Sequence, residues 1–356
     1  MKIDLIIGSL QGGGAERVVC VLANYFASQG HLVSVVTFSD AEKFELDGKV
    51  KRVRLHNKLP IADSTLSRGF FNLLNYYRKK KNRPDVISSH ISRVGLVTIP
   101  VAKFYGIKVI SSEHINHTHA VYDFTKKILW NYIYKFADAV TILTNYDMEF
   151  FKKRNSNVVV MPNPSSFQSL KEQNQSREKV IVAIGSLDRY HHKGFDNLID
   201  ICMGLYERFP NWQLKIIGEG DEGRQILEKK VSALGLNDFI SLEGYRTDVK
   251  DILVQSSIFV LSSRFEGLPM ALIEATSQGI ACISYDCVSG PSDIIENEVN
   301  GLLIENQNHS EMTEGIIRLI ENDELRLRLG NSAISSSQKF SLEIIGKKWI
   351  DLMGSL

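Results

Sequence analysis

Two glutamates, Glu266 and Glu274, bracket the turn Gly267-Leu268-Pro269-Met270. An apolar strand, Ile258 to Leu261, leads into this turn, and Pro269 suits the first position of the helix that follows. That order puts a helix N-terminus at the carboxyl end of a strand, where free N–H groups and the helix dipole favour an anion. Two acids beside an anion site are explained by what else the ligand carries. A hydrolytic pair would face one bond across roughly 5 to 9 Å. Glu274 instead lies within a helix rising about 1.5 Å per residue, so the two carboxylates flank a ligand several atoms long. Hydroxyls at each end and a phosphate in the middle satisfy both, and a nucleotide diphosphate sugar has that shape.

Cations for a diphosphate come from a second strand-to-helix turn, Gly185-Ser186-Leu187-Asp188-Arg189-Tyr190-His191-His192-Lys193-Gly194. Arg189 and Lys193 suit that group, because full charges in a partly dry cleft stabilise charge developing on a leaving group. Taken alone, the stretch reads equally well as a solvated loop. A third turn, Gly12-Gly13-Gly14-Ala15-Glu16-Arg17, lets backbone N–H groups approach a phosphate without matching the GxGxxG spacing of dinucleotide sites. It also reads as a tight structural turn, and Asp40 near the end of the second strand keeps a nicotinamide reading open. Glu113 and His114 follow a strand ending near Ser111 and point to the same edge as the glycine turn. Packing or capping is the plainer role for such a histidine. His114, His117 and His119 have no cysteine or close carboxylate pair to complete a metal site, so no metal is expected.

Positioning these turns takes alternating strands and helices. Lys2 to Gly8, Val33 to Phe38, Val53 to Leu55, Val86 to Ser89, Lys108 to Ser111, Ala139 to Leu143 and Val158 to Met161 read as strands in the first half. Val180 to Gly185, Gln213 to Gly218, Ile240 to Glu243, Ile258 to Leu261, Ala281 to Tyr285 and Leu302 to Ile304 follow in the second. Most are short, β-branched and too apolar for a one-sided sheet, which predicts parallel sheets with helical crossovers. Ala15 to Gln29 is the first of these helices. Pro162-Asn163-Pro164 and the polar stretch to Glu178 mark a linker. The expected fold is α/β, with two Rossmann-like doubly wound domains, 1–164 and 165–356, facing each other across a cleft. A last helix, Leu342 to Met353, has a one-sided apolar face that can pack on either domain, including back on the N-terminal one.

With 44% hydrophobic and 23% charged residues over 356 positions, the composition is that of a soluble chain with two sizeable cores. No apolar run approaches the roughly 18 residues of a membrane span, and the N-terminus reads as a strand rather than a signal peptide. The scattered cysteines, Cys20, Cys202, Cys282 and Cys287, fit neither a disulfide framework nor a zinc site and point to a reducing cytoplasm. Residues 1 to 165 carry 23 Lys and Arg against 13 Asp and Glu, and the remainder is acidic. A basic first half suits an anionic partner, either nucleic acid or an acidic membrane surface.

Much of that charge ends the stretch Leu66 to Arg83, in which Leu66, Phe70, Leu73, Leu74 and Tyr77 share a helical face flanked by Phe71 and Tyr76. Arg78, Lys79, Lys80, Lys81 and Arg83 cluster at its end. A basic amphipathic helix with exposed aromatics reads as interfacial; a crossover helix with a solvated tail is the alternative. One short cluster is not the interleaved groove that nucleic acid requires, so no nucleic-acid partner is expected.

Glu266 to Glu274 is an E-x7-E motif, and with GGGAER near the start and Lys193-Gly194-Phe195 the chain resembles glycosyltransferase family four over nearly its whole length. The resemblance implies retaining enzymes of the GT-B fold. It implies that Glu266 bonds hydroxyls of the donor sugar, Glu274 bonds the ribose, Gly267, Leu268, Pro269 and Met270 present backbone to sugar and phosphate, and Lys193 neutralises the diphosphate. Arg246 falls where the family contacts the base, Gly13 and Gly14 where it closes over the phosphate, and His114 at the acceptor face. The family's usual Gly-Arg-Leu has Ser186 in the arginine position here, and Arg189 is the candidate to supply the missing charge. The basic helix resembles that of bacterial N-acetylgalactosamine transferases acting on undecaprenyl-diphosphate-linked glycans. The resemblance thus implies a UDP-sugar donor as substrate, no cofactor or metal, and a polyprenyl-diphosphate-linked acceptor. Glu113, Phe70, Phe71 and Arg78 to Lys81 are the acceptor and membrane set, with the protein peripheral on the cytoplasmic, inner face of an anionic membrane. A UDP-sugar epimerase or phosphorylase on the same fold, or a non-catalytic sugar-binding protein, are the competing readings.

Overall fold

The computed structural model describes residues 1–56, 65–120, 122–173 and 176–356, so positions 174 and 175 of the expected linker lie outside the described residues. The first parallel sheet comprises β1 (Lys2–Ile7), β2 (Leu32–Thr37), β3 (Lys51–Arg54), β4 (Val86–His90), β5 (Lys108–Ser112), β6 (Ala139–Ile142) and β7 (Val158–Val160), in the order β3-β2-β1-β4-β5-β6-β7. The second comprises β8 (Glu178–Ile184), β9 (Gln213–Ile217), β10 (Ile240–Gly244), β11 (Ser256–Leu261), β12 (Ala281–Tyr285) and β13 (Leu302–Ile304), in the order β10-β9-β8-β11-β12-β13. Every strand expected from the sequence is present, with ends displaced by no more than two residues.

Both sheets are wound the same way. The chain runs outward over three strands, returns to the other side of its first strand, and runs outward again. The reversal falls between β1 and β4 in one sheet and between β8 and β11 in the other, where doubly wound sheets bind ligands. Central strands such as β1 and β11 are buried along nearly their whole length, as strands covered on both faces of a parallel sheet are.

The chain divides into two compact units, Met1–Ser166 with Leu342–Leu356, and Phe167–Ser341. Helix Leu342–Ser355, whose one-sided apolar face can pack on either domain, belongs to the first unit. Its buried face, Ile345, Trp349 and Met353, is the one its sequence spacing marks. It lies against helix Gly14–Ser28, where Gly346 lets the Tyr25 ring approach more closely than any Cβ would allow.

For the basic amphipathic stretch the packing favours the crossover helix, the alternative reading of the sequence. Helix Thr65–Arg78 buries Leu73 and Tyr77 and packs Phe70 and Leu74 on the core of the first unit. Tyr77 Oη donates to Asp4 Oδ2 in β1 at 2.8 Å. The apolar face therefore serves as a crossover, and Phe71 is the one ring of the Phe70, Phe71 pair left exposed. Arg78, Lys79, Lys80 and Lys81 remain exposed at its end.

Candidate active site

In the second unit, the turns carrying Lys193 and Glu266 leave adjacent strands. β8 and β11 pair in parallel, with Ile258 beside Ile181 and Phe259 beside Val182. The two turns are tied before any ligand is considered. Arg264 forks onto Asp196 at 2.8 and 3.0 Å and reaches Asn197 Oδ1 at 2.8 Å. Its backbone N–H donates to the His192 carbonyl at 2.9 Å, and Ser262 Oγ donates to the Lys193 carbonyl at 2.8 Å. Gly194 sits at φ 67°, and a Cβ there would lie 1.9 Å from the Ser262 carbonyl oxygen. Only glycine lets the turns approach this closely.

On this base Lys193 Nζ donates to Glu266 Oε1 at 2.7 Å, and Ser263 Oγ donates to the same oxygen at 2.7 Å. Burial pushes the Glu266 carboxyl up, but the Lys193 ammonium and the two hydrogen bonds outweigh it and hold it below its ordinary value. The acid is thus ionised at neutral pH. His192 stacks on Phe265, ring centroids 3.9 Å apart, and its Nε2 donates to the Phe265 carbonyl at 2.8 Å. Nδ1 is then left to accept from the Arg189 guanidinium at 2.5 Å. Burial, and after it the Arg189 charge, push the His192 pKa down to about 4, so the ring is neutral. Arg189 is exposed, and its guanidinium is engaged by His192.

Pro269 stands one position before the helix, with φ −70° and ψ 110°, and Met270 opens helix Met270–Ser277. The first N–H groups of this helix have no partner four residues back within it. Ser289 Oγ donates to the Gly267 carbonyl at 3.1 Å, which holds the turn from the far side, and Leu268 is buried beneath it. Glu274, the fifth residue of the helix, is buried. The arrangement sets a cation, an acid and a helix N-terminus together at the switch point. Arg246 stands apart: it follows the edge strand β10, and its guanidinium is engaged by Asp248 at 2.6 and 2.8 Å and Glu243 at 3.0 Å.

In the first unit Gly13, at φ 142°, caps helix Gly14–Ser28 in the turn that follows β1, and a Cβ on it would come 2.5 Å from Glu16 Oε2. His114 Nε2 lies 3.0 Å from Nδ1 of His90, whose Nε2 lies 2.9 Å from Ser88 Oγ. Burial pushes the His114 pKa down to about 4, and burial, with His114 beside it, holds the His90 pKa well below its ordinary value, so both rings are neutral. The Trp349 ring of the last helix lies 5.8 Å from that of His90. Glu113, expected at the acceptor face, is turned inward instead. It accepts from Ser92 Oγ at 2.5 Å, from Trp130 Nε1 at 3.0 Å and from the Tyr134 hydroxyl. Burial raises its pKa.

His90, His192 and Arg264 escaped the sequence reading. Each stands within two residues of a strand end, of Lys193 or of Glu266, but its role depends on contacts between separate turns. Among the described residues, no group of three His, Cys, Asp or Glu is placed to hold a metal ion.

Residues 12–165 match the family model for Glycosyltransferase Family 4, and residues 166–336 match that for Glycosyl transferases group 1. An uncharacterized glycosyltransferase of Haemophilus influenzae is 29% identical, covering 98% of each chain. The Campylobacter jejuni GalNAc-alpha-(1->4)-GalNAc-alpha-(1->3)-diNAcBac-PP-undecaprenol alpha-1,4-N-acetyl-D-galactosaminyltransferase is 28% identical, covering 100% of this chain and 99% of its own. Among solved structures, Anabaena HepE in complex with UDP-glucose matches with a TM-score of 0.81 at 18% identity, covering 100% of each chain. That likeness is one of fold, and it agrees with the two doubly wound sheets. With the two family models lying side by side over residues 12–336, the chain belongs to glycosyltransferase family four and has the GT-B fold.

Proposed function

We propose that the protein moves a sugar, N-acetylgalactosamine or another hexosamine or hexose, from a UDP-sugar to a hydroxyl of an undecaprenyl-diphosphate-linked oligosaccharide in bacterial glycan biosynthesis, with retention at the anomeric carbon. The Lys193–Glu266 pair beside the start of helix Met270–Ser277 carries this reading. A diphosphate laid on the helix start meets N–H groups and the Lys193 ammonium. The sugar beyond it then offers hydroxyls to the ionised Glu266 carboxylate. As the bond from C1 to the diphosphate breaks, its electron pair stays on the leaving oxygen. A diphosphate oxygen takes the proton of the incoming hydroxyl, whose oxygen bonds C1 on the same face. Fixed charge at the leaving group does the catalytic work in this scheme, and no metal or other cofactor is called for. Glu274 would take the ribose hydroxyls, Arg189 a share of the diphosphate charge, and Arg246 the base.

The Campylobacter relative's name supports the acceptor class, and HepE with UDP-glucose supports the donor class. The exposed run Arg78 to Lys81 suits the diphosphate of a lipid-linked acceptor at the inner face of an anionic membrane. Among the described residues no helix is long and apolar enough to cross a membrane, and the association proposed here is peripheral. Incubation with a panel of UDP-sugars and a lipid-linked acceptor, followed by product mass, linkage and anomeric configuration, tests the whole reading. Transfer with inversion would refute retention. Release of an epimerised UDP-sugar without transfer would favour the epimerase instead.

A further inference from the structure

The first unit concentrates exposed aromatic rings on one stretch of chain. Residues 124–136 form a continuous helical run, α-helical over Phe124–Ile128, π-helical over Leu129–Ile133 and 3-10 over Tyr134–Phe136. Its inner face is fixed by Glu113, to which the buried Trp130 and Tyr134 both donate. Its outer face carries Phe124, Ile128, Tyr132 and Phe136, spaced four apart, with the three rings 75%, 60% and 54% exposed. Four α-helical residues overshoot a full turn by about 40°. The wider i→i+5 turn in the middle takes that overshoot back between Ile128 and Tyr132, and the tighter 3-10 turn carries Phe136 further round, so the exposed rings form a broad stripe on the side away from the buried Trp130 and Tyr134. Single exposed apolar residues are ordinary, whereas contiguous ones mark an interaction site.

The charge around the stripe says what it meets. Its two carboxylates, Asp123 and Asp138, are engaged by Arg93 and Lys103, each at 2.6 Å. The exposed Lys127 and Lys135 then leave a net positive border. Phe104, 74% exposed, adjoins Lys103, and its other neighbour Tyr105 lies under the Arg83 guanidinium at 4.4 Å. Tyr105 Oη also donates to the Leu74 carbonyl at 2.9 Å. Residues 103–105 thus join the stripe to the basic end of helix Thr65–Arg78.

We propose that this face, Phe104, Phe124, Tyr132 and Phe136 bordered by Lys127 and Lys135, docks the first unit on an anionic lipid surface. The proposal rests on the functional reading above, in which the acceptor is lipid-linked, and it assigns the docking to residues other than the buried face of helix Thr65–Arg78. Lysine is depleted in the cores of protein–protein interfaces. Aromatic rings edged by lysine are instead the composition of interfacial helices, whose rings settle at headgroup level.

Co-sedimentation with vesicles of phosphatidylglycerol and phosphatidylethanolamine, against vesicles of phosphatidylcholine alone, tests it without any acceptor lipid. The wild type should bind the anionic vesicles and not the zwitterionic ones. The triple variant Phe124→Ser, Tyr132→Ser, Phe136→Ser and the double variant Lys127→Glu, Lys135→Glu should each lower the bound fraction at least tenfold, with wild-type amide exchange in β4, β5 and β6 of the same unit as evidence of folding. Binding of either folded variant at the wild-type level overturns the proposal. So does a wild-type dimer that the triple variant converts to a monomer with vesicle binding intact, because the stripe is then a contact between two copies. Transfer to a short-chain, water-soluble acceptor is measured alongside. Its absence in the wild type refutes the functional reading and leaves the vesicle result standing.

Discussion

The Lys193–Glu266 pair is a buried ion pair that must also serve a ligand, and its removal separates the two roles. Lys193→Met leaves a buried carboxylate without its cation, which costs about 3 to 5 kcal/mol. Adding Glu266→Gln should return most of that stability, because two neutral side chains of similar size replace the pair. Activity should not return in the double variant, and Glu266→Gln alone should lower kcat by about a hundredfold. Denaturant melts beside initial rates check both; full recovery of activity in the double variant would mean the pair is structural. His192 makes a prediction with a definite sign. Its pKa is about 4 in the folded protein and about 6.5 unfolded, so between these values the unfolded chain binds more protons and stability falls as pH falls. His192→Asn should flatten the slope of stability against pH across that window by up to one proton. The acids and the lysine were legible in the sequence because motif spacing marks them. His192 and Arg264 were not, since their partners come from a turn about 70 positions away.

Among elements, the strands were the most readable, because short β-branched runs between polar turns have few other folds open to them. The stretch from Leu66 to Arg83 shows where such reading stops. An apolar helical face looks the same whether a sheet or a lipid covers it, and only the packing of Leu73 and Tyr77 on the first core decides. Glu113 misled for a related reason: its place at a strand end suggests a cleft, yet its carboxylate anchors Trp130 and Tyr134. Gly194 tests whether the junction of the two active-site turns is as tight as its geometry. Alanine there meets both a positive φ and the Ser262 carbonyl, so Gly194→Ala should destabilise by well over the roughly 1 kcal/mol of an ordinary glycine replacement. It should also lower kcat, since Ser262 and Lys193 must part. Thermal melts and rates decide; a variant as stable and active as the wild type would show that the turns have slack.

At the scale of the whole molecule, the chain returns from the second unit to finish in the first, and this crossing makes the units separable by experiment. Helix Leu342–Ser355 contributes Ile345, Trp349 and Met353 to the first unit, while the Lys193–Glu266 site belongs wholly to the second. A ligand that binds only folded protein stabilises what it binds, by about 2.7 kcal/mol at one hundred times its dissociation constant. UDP should therefore slow amide exchange in β8, β9, β11 and β12 and leave β1, β4 and β5 little changed. Trp349→Ala should do the converse, costing the first unit about 3 to 5 kcal/mol through the cavity it leaves and speeding exchange in β4 beside His90, with the second sheet unaffected. Hydrogen exchange followed by peptide mass spectrometry reads both units in one measurement. Equal responses of the two sheets to either perturbation would mean that they unfold as one cooperative body, and the boundary at Ser341 would then be geometric only.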